Sequence, residues 1–94
     1  MGNTVDGTAD VPHADGVLEM MGRPELAGST SAVLTPAVRA RLRELELGQV
    51  LEVRVDDPAA VDDMAAWTRL AGHELVQTVH EGEMIQFFVR KRKA

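Results

Sequence analysis

Few residues in this chain are equipped for chemistry, and most of those lie close to predicted helix starts. Ser31 and Thr35 sit in the stretch LAGSTSAVLTP, Leu26 to Pro36, which runs directly into the helical pattern AVRARLREL. Backbone N–H groups at a helix start hold anions and make a nearby nucleophile more acidic, so this loop is where a reactive side chain is expected. Neither hydroxyl, nor the Glu25 carboxylate upstream, has an acid or base partner in the sequence, and a hydrolase reading therefore has no support. Asp56, Asp57, Asp62 and Asp63 crowd a second helix start, where capping and dipole effects account for acidic residues without a bound cation. His13, His73 and His80 are not spaced as a metal pair, so neither a metal nor a cofactor is expected.

The bulk composition narrows the field further. The chain has 94 residues and no cysteine, which excludes a disulfide framework, a thiolate zinc site and a thiol nucleophile of its own. Hydrophobic residues make up 45% of it but aromatics only 3%, so aliphatic side chains must build the core and there is no aromatic platform for stacking bases. The N-terminal segment lacks the basic start and apolar run of a signal peptide, and no stretch reaches the ~20 apolar residues of a membrane span; a cytoplasmic protein is expected. Net charge is −5, of which −4 falls in the first thirty residues, leaving a nearly neutral remainder with two basic clusters. These are Arg39, Arg41 and Arg43 on a helical pattern, and Arg90, Lys91, Arg92 and Lys93 near the C-terminus.

The elements that must position these residues follow from spacing. VLEMM (17–21), punctuated by Gly16 and Gly22, reads as a short strand. Thr35 as N-cap and Pro36 in the first helical position predict a helix start, with Val38, Leu42 and Leu45 as its apolar stripe and Gly48 as its terminator. QVLEVRV (49–55) alternates as a half-buried strand. Asp57-Pro58 predicts a second helix that runs to about Ala71, turns Val61, Met64, Ala65 and Thr68 inward, and ends at Gly72. ELVQTVH (74–80) and EMIQFFV (83–89) then form a hairpin around Glu81-Gly82, pairing Val76 with Phe87 and Thr78 with Ile85 on one side, and Leu75 with Phe88 and Val79 with Met84 on the other.

The predicted fold is an α+β two-layer sandwich, βαβαββ, with a four-stranded mixed sheet and both helices on one face, because right-handed crossovers place them there. Residues 1–16 read as a disordered tail and 17–94 as a single domain. The uncovered sheet face, with Leu75, Val79, Met84 and Phe88, and the aromatic Trp67 are the candidate surfaces for a protein partner.

The segment Leu47 to Val79 is similar to the TusA/SirA family of small sulfur-carrier proteins. The likeness rests on the Gly-x-x-Leu-x-Val strand, the Asp-Asp-Pro start of the second helix, Trp67, Gly72-His73-Glu74, and a last strand ending in a basic pair. Members of that family place a Cys-Pro-x-Pro motif at the start of the first helix, and its cysteine carries a persulfide between sulfurtransferases. Counting on from Gly22 sets Glu25 at the motif, and counting back from Gly48 sets Ser31 there, six residues later; capping instead pairs the motif's Cys-Pro with Thr35-Pro36. None of these side chains can hold a persulfide, since an oxygen does not replace a thiolate.

The resemblance therefore implies a sulfur-relay protein without its carrier residue, a non-catalytic binding or regulatory module for a sulfurtransferase or cysteine desulfurase. One alternative is a relay component that completes a site with a partner's cysteine. Another is a nucleic-acid binder using Arg39, Arg41, Arg43 and Arg90 to Lys93.

Overall fold

Hydrophobic spacing, rather than the Thr-Pro pair, decides where the first helix begins. The computed structural model describes residues 11–22 and 30–94. In it, α1 spans Thr30–Arg43, so Thr35 is not an N-cap and Pro36 lies within the helix. The reason is Leu34, which lies one turn before Val38 and two before Leu42; all three are at most 2% exposed and belong to the core. Burying a leucine is worth ~2 kcal/mol, which offsets much of the ~3 kcal/mol that an internal proline costs, and Val33, packed against the same core, adds to it, so the extra turn forms in spite of Pro36. Leu45 packs against the core from the turn that follows α1. Gly48, at φ 89°, belongs to the turn entering β2, where its N–H donates to the Lys91 carbonyl at 2.8 Å, and does not terminate the helix.

The remaining elements are β1 (Gly16–Glu19), β2 (Val50–Val55), α2 (Ala60–Ala71), β3 (Glu74–Glu81) and β4 (Met84–Arg90). The chain order is βαβαββ and the sheet order is β1-β2-β4-β3, with β1 and β2 parallel and the other pairs antiparallel. Both helices contribute to one core, in which Leu34, Val38, Leu42, Ala60 and Met64 meet Leu51, Val53, Val55, Ile85, Phe87 and Val89. This is the expected α+β two-layer sandwich. Asp57 opens a tight turn ahead of α2: its Oδ1 accepts from the Ala59 N–H at 3.0 Å and its carbonyl from the Ala60 N–H at 3.0 Å. Gly72 ends α2 in the left-handed conformation, as expected. Of the tail expected over 1–16, residues 1–10 lie outside the described residues; Asp15 is tied to Val50 by both its backbone and its side chain, and Gly16 opens β1.

The hairpin departs from the sequence reading. Its two-residue turn is Gly82-Glu83, since Glu81 pairs with Met84, and Gly82 takes the positive φ that the first position of a type II′ turn requires. Val79 therefore opposes Gln86 and Thr78 opposes Phe87, and the pairs Val76–Phe87, Thr78–Ile85, Leu75–Phe88 and Val79–Met84 are not formed. A bulge between Leu75 and Gln77 then reverses the alternation, so Leu75 pairs with Val89 and packs on the helix-covered core. The opposite face is not an open apolar sheet. Phe88 is 1% exposed there, in register between Glu52 and Gln77. Glu52, 7% exposed, accepts from Arg54 Nε and Gln86 Nε2, both at 2.7 Å. That ion pair raises the pKa of the Arg54 guanidinium, above all through the hydrogen bond it donates to Glu52.

The helix boundary makes a two-sided prediction for urea unfolding. Pro36→Ala, which restores an N–H to the interior of α1, should stabilise the protein by about 1 kcal/mol or more. Leu34→Ala should destabilise it by about 3 kcal/mol through a core cavity. A helix that began at Thr35 would give the opposite sign for the first variant, since proline is favourable at a first helical position.

Candidate functional site

Two regions gather the residues singled out by chemistry. The first is the start of α1. Ser31 is the second residue of the helix and Thr35 the sixth; Thr35 is half-buried and Pro36 exposed. Glu25 and the side chain of Ser31 lie outside the described residues. Nearby, the Gly22 N–H donates to Asp56 Oδ2 at 3.1 Å and the Met20 N–H to the Arg54 carbonyl at 2.9 Å. Asp56 thus ties the end of β1 to the end of β2, and Asp57 organises the turn into α2.

The second region lies at the far ends of the helices, where the basic residues divide into two sets. Arg41 pairs with Glu44 and donates to the Val17 carbonyl at 3.0 Å. Arg90 and Arg92 both pair with Glu74, at 3.0 and 3.1 Å. The others, Arg39, Arg43, Lys91 and Lys93, line one cleft of about 220 Å³ together with Trp67 and His73. Lys91 is 8% exposed and its Nζ donates to the Leu45 carbonyl at 2.6 Å, capping the turn after α1. The Lys93 stem lies across Gly72, where a Cβ would come within 2.4 Å of its Cδ.

His73 is held between these groups. Its Nδ1 accepts from the Arg92 N–H at 3.1 Å, which leaves the ring proton on Nε2, and its ring lies 5.7 Å from that of Trp67. Burial, followed by the charges of Lys91 and Lys93, lowers its pKa below the ordinary histidine value. Trp67 packs against the edge of the core and does not join the outer sheet face. Of the other candidate partner residues, Leu75 is on the core side, Phe88 is buried, and Val79 and Met84 are half-buried.

The basic residues form two clusters along the sequence, and their spacing holds the signal that divides them differently. Arg39 and Arg43 are four apart on one helix face, and Lys91 and Lys93 are two apart on one side of an extended segment, with the Glu-paired arginines interleaved.

The histidine geometry predicts a pH effect. The unfolded chain takes up a proton near pH ~6.5 and the folded state only lower, so the stability contributed by neutral His73 is complete above that pH and is lost as pH falls through it. His73→Asn, whose side-chain oxygen can replace the Nδ1 acceptor, should therefore lose less melting temperature than the parent on acidification from about pH 7.5 to 5. Equal losses would remove His73 from the acid response.

Comparisons with known proteins bear on the same residues. The family model described as sulfurtransferase TusA matches residues 36–91. The chain is 40% identical over 58 residues to YrkI of Bacillus subtilis (strain 168), covering 60% of this chain and 77% of that protein. It is 36% identical over 58 residues to the sulfur carrier protein TusA of Allochromatium vinosum, covering 60% of this chain and 76% of the relative. A match to YrkF of Bacillus subtilis, 38% identical over 53 residues, covers 56% of this chain but only 29% of that longer protein. The family match runs from Pro36 to Lys91, so it takes in Arg39, Arg43, Trp67, His73 and Lys91 of the cleft and leaves Lys93, Ser31 and Thr35 outside.

Proposed function

Because the chain belongs to the sulfurtransferase TusA family, we propose that it keeps the carrier's fold as a binding or regulatory module for a relay partner and does not itself carry sulfur. The observation that carries this reading is the absence of any cysteine from the chain. A persulfide forms when a thiolate attacks a donor's sulfane sulfur and holds it for transfer, and a hydroxyl or carboxylate does neither. The partner class is a cysteine desulfurase or another sulfurtransferase, proteins that a carrier fold must dock against. A cytoplasmic setting goes with this reading, since reduced thiols and persulfides persist where disulfides are kept reduced. Pairing of Arg41, Arg90 and Arg92 with glutamates disfavours the nucleic-acid alternative, because it leaves no continuous basic stripe for a phosphate backbone.

The test is mass spectrometry after incubation with a cysteine desulfurase and cysteine. No sulfur adduct is expected on the parent chain, and a stable complex with the desulfurase is. Acceleration of labelled-sulfur transfer from desulfurase to an acceptor would instead support a site completed by the partner's cysteine. With α1 beginning at Thr30, Ser31→Cys should yield an acidic thiol that takes up sulfur, whereas Thr35→Cys, inside the helix, should keep an ordinary thiol pKa. The reverse order would place the family's motif at Thr35.

A further inference from the structure

The cleft between the C-terminal halves of α1 and α2 and the segment after β4 has a charge pattern that the fold alone does not require. Helix C-termini favour nearby cations, which accounts for Arg43 in the last turn of α1 and for Lys91 on the Leu45 carbonyl. It does not account for Arg39, a turn further back, or for Lys93, which reaches the cleft from the last residues of the chain over a position where only glycine leaves room. Among the described residues, Arg39, Arg43 and Lys93 have no acidic partner and no acidic side chain lines the cleft. Elsewhere among the described residues, Arg41, Arg54, Arg90 and Arg92 are each matched with a glutamate, and Arg69 alone is not. A chain of net charge −5 thus collects four cations in one concavity that no Asp or Glu side chain lines; Ala94 also borders it.

We propose that this cleft binds a small organic oxyanion, a phosphate ester or a related sulfur oxyester. Its charged head would lie among Arg39, Arg43 and Lys93, and its apolar part against Trp67 and Leu42. The head group follows from the donors: two guanidinium forks and an ammonium suit a tetrahedral oxyanion with several acceptor oxygens. His73, neutral and with its proton on Nε2, adds a donor without needing to change charge. The apolar part follows from size and lining. About 220 Å³ is far more than an inorganic oxyanion fills, and the rest of the wall includes Leu42, Trp67 and Ala71. The same concavity is too small to track a nucleic-acid backbone.

Trp67 is the only tryptophan in the chain, so its fluorescence reports directly on the cleft. Titration of the full chain with phenyl phosphate at constant ionic strength should give a saturable change at millimolar or lower concentration, and inorganic phosphate should bind more weakly at the same place. Arg39→Gln with Arg43→Gln should weaken phenyl phosphate about tenfold or more through loss of charge-assisted hydrogen bonds. Lys93→Ala should weaken it as well, and Arg90→Gln, outside the cleft, should leave it unchanged. Circular dichroism checks that each variant is folded. No saturable change with phenyl phosphate, or equal weakening by Arg90→Gln and by the cleft variants, overturns the proposal. Equal affinity for phenyl phosphate and inorganic phosphate overturns its apolar half.

Discussion

The structure depends on burying one aliphatic stripe, Leu34, Val38 and Leu42, against Leu51, Val53 and Phe87. With aromatics at 3% of the chain, the core has few large side chains, and each aliphatic contact on the inner sheet face counts for more. That stripe carries α1 back to Thr30 through a proline, and it thereby sets which residues lie at the positive end of the helix and which at the other. Arg39 and Arg43 project from the half of α1 that ends near β4, and the cleft exists because the stripe holds them there beside Trp67 and His73.

The two faces of the sheet use opposite solutions to the same problem. Helices cover the inner face with apolar side chains. The outer face, with no helix over it, is crossed by polar side chains: Glu19, Arg54, Glu52 and Gln86 link β1, β2 and β4, and Glu74 joins Arg90 across to β3. Such pairs are individually weak where they are exposed, and the buried Glu52 matters more because two donors share its carboxylate. They also discourage edge-on or face-on association of the kind an apolar sheet invites. Among the described residues, five arginines and lysines have no acidic partner, Arg39, Arg43, Arg69, Lys91 and Lys93, and four of the five line the cleft.

Within the TusA family, a fold retained without a cysteine separates two properties that a carrier normally combines. Docking depends on shape and surface charge, whereas sulfur carriage depends on one thiolate at a helix start.

Local signals determined much of this protein. Alternating residues at 49–55 define a strand in either account, Gly72 ends α2, Asp57 opens the turn into it, and the right-handed crossovers place both helices on one face. Each of these rests on residues close in sequence. Where the sequence reading failed, residues far apart in the chain had outweighed a correct local preference. Thr35-Pro36 is a good helix start on its own, yet Leu34 buries only when β2 and β4 are present to receive it. The hairpin register turned on placing Gly82 first in the turn and on a bulge after Leu75, which seats Leu75 on the core and not opposite Phe88. Arg39, Arg43, Lys91 and Lys93 are ordinary charged residues along the chain. Only the tertiary structure brings them into one cleft, because spacing of four along a helix and two along the segment after β4 decides which face each presents, and packing decides which faces meet.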